Sequence, residues 1–345
     1  MAVPVATGTD WAGERATLLG KRISELGLRL QGTEVERLTE RLYDELRARG
    51  LGFMPPVYLS DEWGCPEATP LIAVPFYLAD ERLRRIEEER AAGVETEAES
   101  MRYLRHEAGH AYNYAYRLYD QPEWRLIFGP YSRPYRDRYH ADPFSRRHVR
   151  HILGWYAQKH PDEDFAETFA VWLTPGLDWR ARYAGWPVLT KLEYVDRIMN
   201  EIGSEPPVVQ VELNEEHVPV EAMHYTVEQH YRELEEALPI DDERFFDGDL
   251  LTIFAPREGS EGMPADEFMR TNRQELVARI GYWSGEGPGV VGAFIDFLIE
   301  RAAALVLIVN LREATTLIEL TAFGTAVMMN YRYTDTMGRS PQETP

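Results

Sequence analysis

Hydrophobic residues recur at helical spacing in several segments of the chain and form short strand-like runs in two others. Over residues 33–49, apolar side chains repeat every three or four positions, which predicts an amphipathic helix. The stretch "PPVYLSDEW" predicts a strand, and residues 71–79, "LIAVPFYLA", predict another. Pro75 lies inside this second run and has no backbone N–H to donate, so we expect that strand at the edge of its sheet.

Two further helices carry start and stop signals. Thr96 opens the stretch "TEAE", and Glu99 follows it three residues later, so a capping box predicts a helix from about 96 to about 119. The later stretch "PDEDFAETFAVWLTPG" predicts a third helix, because Pro161 suits the first turn and acidic residues follow it. The Thr-Pro-Gly triplet at 174–176 ends that helix.

The composition changes after residues 203–207, "GSEPP", which are the best candidate for a linker. Residues 201–270 hold nineteen acids and four arginines, whereas residues 122–161 hold eight bases and three acids. A chain of 345 residues is also long enough for two cores. We therefore predict an α+β domain over 1–203 and an acidic, mainly helical domain of unknown role over 208–345.

The helical part of this prediction rests on three segments with helical periodicity: 264–282, 290–309 and 313–329. The last residues, "GRSPQETP", are expected to be frayed.

Charge and cysteine content narrow the function classes. The formal net charge is -21, which argues against a general nucleic-acid binder. Cys65 is the only cysteine, so no disulfide can form within the chain. The first residues lack the pattern of a signal peptide, and the longest apolar run, 302–311, is too short to cross a bilayer. We therefore expect a cytoplasmic protein that binds neither nucleic acid nor membrane.

The stretch "RHEAGH" places two histidines four residues apart on the second helix. Because helical residues advance by about 100° and rise about 1.5 Å, His106 and His110 share a face and can both bind one ion. Glu107 flanks that face and can contact a water on the ion without being a ligand. Ala108 and Gly109 are small and leave room for another element to pack closely. This is the arrangement of H-E-x-x-H zinc hydrolases, although such histidines can also simply bond backbone or carboxylate groups.

A catalytic zinc usually takes three protein ligands and keeps one position open for water. The third helix offers four acids for this purpose: Asp162, Glu163, Asp164 and Glu167. Glu163 and Glu167 are four residues apart and share a face. We interpret Asp162 and Asp164 as acids that complement the helix dipole. Four histidines between the two helices are alternative third ligands: His140, His148, His151 and His160.

His106, Glu107 and His110, followed 53 residues later by Glu163 in "EDFAETF", resemble the gluzincin branch of zinc metallopeptidases. Within that branch, the pattern is similar to zinc-binding metallopeptidases with an E-x-F-A-E-x-F second helix. The anthrax lethal factor catalytic domain and the Pro-Pro endopeptidases are similar in the same local pattern. The resemblance covers about 96–173 and implies a zincin-like metallopeptidase fold for residues 1–203, with Zn2+ as cofactor.

The resemblance also implies roles for individual residues. Glu163 is the expected third zinc ligand beside the two histidines, and Glu167 is expected to orient a ligand histidine. Those families place a tyrosine seven residues before the ligand glutamate, and Tyr156 occupies that position here. Its expected role is to stabilise the oxyanion.

We predict from these residues a zinc-dependent peptidase acting on a peptide or protein substrate. Zinc lowers the pKa of its bound water to about 7. Glu107 is the predicted general base, which accepts the proton of that water and donates it to the leaving amine. The G-x-M-E-N type segment that gluzincin aminopeptidases use for the free amine does not occur in the sequence, which favours an endopeptidase.

Other interpretations remain open. The chain could be a zinc-stabilised binding or regulatory protein with little turnover, although Glu107 argues against this, or a hydrolase of amides or epoxides. The acidic second domain could recruit a protein partner. The strand predicted over 71–79 could bind an extended substrate by β-augmentation, or be a solvent-exposed edge that Pro75 protects. Cys65 is interpreted as a partly buried thiol, and the alternative is a switch ligand that blocks the zinc.

Overall fold

The computed structural model describes residues 11–90, 94–136, 139–233, 238–240, 242–257 and 262–337. In the first part of this chain the elements are α1 Trp11–Leu19, α2 Glu34–Ala48, β1 Val57–Ser60, β2 Ile72–Pro75, α3 Glu81–Arg90, α4 Glu97–Ala115, α5 Pro122–Phe128, α6 Pro161–Leu173, α7 Trp179–Arg182, α8 Leu189–Ile202 and α9 Val227–Glu233. The later elements are α10 Asp247–Ile253, β3 Ala255–Pro256, α11 Ala265–Thr271, α12 Arg273–Ser284, α13 Pro288–Ala304, β4 Leu307–Ile308 and α14 Glu313–Thr334. The predicted frayed tail lies outside the described residues.

The architecture is helix-rich with little sheet, which confirms the predicted α+β class. Strands β1 and β2 run parallel, with Val57 opposite Ile72, and β3 and β4 form a short antiparallel pair. The described helices include none that is long and apolar enough to cross a membrane.

The helices predicted from local signals form where expected. Thr33 caps α2 by accepting the backbone N–H of Glu36. Thr96 and Glu99 form the predicted capping box of α4, although this helix ends at Ala115, before the expected end near 119. In α6, a proline occupies the first turn as predicted.

The second predicted strand is shorter than expected, because Phe76–Ala79 forms a turn of 3-10 helix after β2. Its outer side is also covered in part. Ala73 donates its N–H to the Gly64 carbonyl at 2.7 Å and accepts the Gly64 N–H at 3.3 Å. Backbone pairing of a substrate with β2 at Ala73 is therefore blocked by the chain itself.

Within the described residues, two large hydrophobic clusters form the main cores, and a small third cluster lies around Tyr58. The first extends from Leu18 to Tyr231 and includes α4, α6 and α8, and the second extends from Phe246 to Met337. Val220 and Met223 are buried in the first core, although both lie within the predicted second domain, 208–345. The limits 1–203 and 208–345 stay a prediction.

Candidate metal centre

Helices α4 and α6 lie in close contact, and Gly109 makes this possible. A Cβ atom at Gly109 would lie 2.7 Å from the Cα atom of Ala166 and 2.9 Å from its carbonyl oxygen. One turn further along, the rings of Tyr112 and Phe169 stack with centroids 5.3 Å apart. The faces of the two helices that carry the predicted site residues are thereby pressed together.

Three donor atoms converge between these helices. The Nε2 atoms of His106 and His110 are 3.1 Å apart, and Glu163 Oε2 lies 3.0 Å from the first and 3.1 Å from the second. All three side chains are buried. His106, His110 and Glu163 could therefore hold a metal ion. A tetrahedral ion with bonds of about 2.0–2.1 Å separates its ligands by about 3.3 Å, close to the distances found here.

The other nitrogen of each imidazole faces a carboxylate. His106 Nδ1 lies 3.1 Å from Glu167 Oε1, and His110 Nδ1 lies 3.0 Å from Asp162 Oδ2. Since an ionised carboxylate only accepts, each neutral ring carries its proton on Nδ1 and has a lone pair on Nε2. The two Nε2 lone pairs and an anionic oxygen then face one another. This donor set is suited to a cation, which would remove the repulsion among these atoms.

The protonation of these groups follows from the same contacts. Burial lowers the pKa of His106, but its bonds to Glu163 and Glu167 outweigh burial and raise the pKa to about 9. Burial likewise lowers the pKa of His110, and the charges of Asp162 and Glu163 raise it well above its usual value. Burial raises the pKa of Glu163, yet the histidines hold it well below its usual range. Positive charge is thus favoured at this point, and protons compete with a cation for it.

Glu107 is buried beside the donor cluster but is not part of it. Burial raises the pKa of its carboxyl, while the neighbouring histidines act in the opposite direction. The raised pKa makes this carboxylate a better proton acceptor than an exposed glutamate, which is what the predicted general-base role requires.

Two phenols lie beside the cluster. The ring of Tyr156 is 5.6 Å from the ring of His106, and its hydroxyl lies 3.2 Å from the hydroxyl of Tyr135. Tyr135 donates to Glu163 Oε1 at 2.6 Å. Sequence reasoning missed Tyr135, because it lies in an irregular stretch where no spacing rule applies.

Glu167 is fully buried and accepts more than the imidazole proton. The backbone N–H groups of His151 and Ile152 also donate to it, at 3.2 and 3.0 Å. Its position therefore fits the orienting role that the family resemblance implies.

Asp162 and Asp164 do more than complement the helix dipole, which is the role predicted for them. Besides facing His110, Asp162 accepts hydrogen bonds from the amide of Asn113 and the hydroxyl of Tyr114. Asp164 is buried and pairs with Lys191 on α8. These contacts orient one histidine and fasten α6 to its neighbours.

The four alternative histidine ligands are engaged elsewhere. His140 stacks on Tyr333, and His148 Nε2 lies 3.7 Å from Asp164 Oδ2. His151 bonds the carbonyl of Arg102, and His160 caps α6. Within the described residues, none of them belongs to the group of converging donor atoms.

Cys65 is likewise outside that group. Its thiol is partly buried and donates to the Thr69 carbonyl at 3.1 Å. Burial and the charges of Glu107 and Asp162 raise its pKa well above its usual value, so the unreactive thiol form is favoured.

Comparison with known proteins points the same way. The model of a family described as "Putative zinc-binding metallo-peptidase" matches residues 71–178. This range contains β2, α4 and α6 and therefore all three donor residues. No curated protein and no solved structure matches the chain. The family match supports a zinc peptidase in coarse terms, while the finer resemblances to gluzincins, lethal factor and Pro-Pro endopeptidases stay predictions.

Proposed function

We propose that the chain is a zinc-dependent endopeptidase in which His106, His110 and Glu163 hold the ion. The convergence of their three donor atoms within a segment that matches a zinc-peptidase family supports this most strongly. Two neutral imidazoles and one carboxylate leave a bound dication with a net charge of about +1, which favours an anionic transition state. When bound, zinc supplies a Lewis acid that polarises a carbonyl and makes water acidic enough to attack at neutral pH.

Glu107 moves the proton. Its carboxylate accepts a proton from the attacking water, and the resulting acid donates that proton to the nitrogen of the leaving amine as the C–N bond breaks. Burial favours this proton transfer, because it raises the pKa of the Glu107 carboxyl and makes the carboxylate a stronger base.

The two phenols have different tasks. Tyr135 holds Glu163 Oε1, which leaves Oε2 facing the histidines. Tyr156 carries the hydroxyl that donates to the oxyanion as the peptide carbonyl is attacked. Burial and the charge of Glu163 raise the pKa of both phenols, so both remain protonated donors at neutral pH.

Metal analysis of the purified full-length chain, combined with digestion of an unbiased peptide library and mass spectrometry, tests the proposal. We expect one zinc per chain and cleavage within peptides. Glu107→Gln should retain zinc and lose cleavage by about 100-fold or more, whereas Glu88→Gln on the exposed face of α3 should behave as the parent.

The outcomes separate the alternatives. A parent that binds zinc and cleaves no peptide would favour the zinc-stabilised binding protein or a hydrolase of other bonds. A parent that releases only terminal residues would contradict an endopeptidase.

A further inference from the structure

Arg332, in the last turn of α14, contacts the segment that precedes Tyr156. Its guanidinium donates to the carbonyl oxygen of Gly285 at 2.7 Å and to that of Gly154 at 3.3 Å. It also lies 3.3 Å from the carboxylate of Glu286, and its side chain is only 9% exposed. One planar cation thus joins the end of α12 to the turn at Gly154 that precedes Tyr156.

Two glycines bring these segments together. Gly154 and Gly285 have φ angles of 81° and 77°, which favour glycine. A Cβ atom at Gly154 would lie 2.7 Å from the Gly285 carbonyl oxygen, and one at Gly285 would lie 2.7 Å from the ring of Trp155. The end of α12 therefore meets the turn at Gly154 backbone against backbone.

A second contact lies beside the first. Tyr333 donates to the Ala141 carbonyl at 3.1 Å, and its ring stacks on His140 with centroids 5.6 Å apart. Tyr139 contacts both sides of this junction. Its ring lies 5.0 Å from the guanidinium carbon of Arg332, and its hydroxyl donates to the Gly154 carbonyl at 2.7 Å.

The turn held in this way determines where Tyr156 lies. Trp155 has a φ of 55°, a left-handed conformation that costs free energy for any residue except glycine. Such a conformation persists only where surrounding contacts impose it. The contacts with Gly285 and Arg332 act on this turn, and Tyr156 is the next residue in the chain.

We infer that the C-terminal helices hold Tyr156 beside the histidine pair and that Arg332 is the positioning residue. This gives α12 and α14 a role at the candidate metal centre, which the sequence did not indicate. The inference rests on the proposed function for what Tyr156 does, but the placement of the turn can be tested separately.

The test compares full-length Arg332→Met and Arg332→Lys with Arg301→Met. Arg301 on α13 pairs with Asp247 on α10 in a partly buried ion pair and is a matched control. Hydrogen exchange measured by mass spectrometry, with and without zinc, should be about tenfold faster over 154–158 in Arg332→Met. It should be intermediate in Arg332→Lys, which keeps the charge but not the planar fork, and parent-like in Arg301→Met.

Kinetics provide the functional readout. We expect kcat of Arg332→Met to fall about tenfold or more, KM to change less than about twofold, and zinc to stay at one per chain, because a displaced donor weakens only the transition state. If Arg332→Met does not fold, Arg332→Lys and Tyr333→Phe test the inference in its place. Hydrogen exchange over 139–143 is expected to be faster in Tyr333→Phe than in the parent.

Several results would overturn the inference. These are parent-like exchange over 154–158 in Arg332→Met, an equal increase in Arg301→Met, or loss of zinc from Arg332→Met. If the parent cleaves no peptide, the proposed function fails, and the exchange data still decide whether Arg332 holds the turn.

Discussion

Replacing Glu167 with glutamine tests whether this carboxylate orients the metal-binding imidazole. In the structure, Glu167 is fully buried and accepts three N–H groups: His106 Nδ1 at 3.1 Å and the backbone nitrogens of His151 and Ile152 at 3.2 and 3.0 Å. Glutamine has the same shape, but an NH2 group stands in place of one carboxylate oxygen, and this group cannot accept a hydrogen bond. At least one of the three donors must then lose its partner or the imidazole must turn.

The size of the effect follows from these contacts. Losing a carboxylate that orients a ligand histidine typically lowers metal affinity by about 10–100-fold, or about 1.4–2.7 kcal/mol. A buried donor left without a partner costs about 1–3 kcal/mol in stability. We therefore expect Glu167→Gln to raise the zinc Kd by about 10–100-fold and to lower the free energy of unfolding by about 1–3 kcal/mol.

Competition with a chromophoric chelator at neutral pH measures the zinc Kd, and urea unfolding of the same samples measures stability. Asp162→Asn makes the equivalent change at His110 and should weaken zinc binding to a similar degree. Glu88→Gln, on the exposed face of α3, should leave both quantities unchanged. A folded Glu167→Gln protein whose zinc Kd stays within about twofold of the parent would refute the orienting role.

Two other predictions concern packing and acid stability. Gly109→Ala places a Cβ atom 2.7 Å from Ala166 Cα, so α4 and α6 must separate. The melting temperature and the zinc affinity should both fall. A variant in which both quantities are unchanged would contradict the packing argument. Burial lowers the pKa of His148 and His151 to about 4, against about 6.5 in the unfolded chain. Between about pH 4 and about pH 6.5 the unfolded state therefore binds more protons than the folded state. The contribution of the two neutral histidines to stability is fully present above about pH 6.5 and is lost as the pH falls toward about 4. Urea unfolding across this pH range measures the free energy of unfolding, which should decline less steeply in the variant with both His148→Gln and His151→Gln than in the parent. An equal decline in the two proteins would contradict the prediction.

The parts of the fold that depend on local sequence could be predicted. The capping box at Thr96 and the proline in the first turn of α6 placed both site helices, because these signals act within one helical turn. Helical spacing also put His106 and His110 on one face. The small size of Gly109 indicated a close neighbour, which proved to be α6.

The remaining features depend on how elements meet. Asp162 faces His110 only because of the rotation of α6 against α4, which a single helix does not define. Tyr135 contacts Glu163 from an irregular segment. Ala73 pairs with Gly64 only because the loop between β1 and β2 folds back onto β2, and the contact of Arg332 with Gly154 joins residues 178 positions apart, so no local pattern could indicate either.

Zinc content of the parent and of Glu163→Ala, measured by mass spectrometry on the same preparations, tests the central claim most directly. The three-ligand site predicts one zinc per parent chain. It also predicts a steep loss in the variant, because two imidazoles alone hold the ion weakly. Full zinc occupancy in a folded Glu163→Ala protein would contradict the site, since the ion would then be held by other residues.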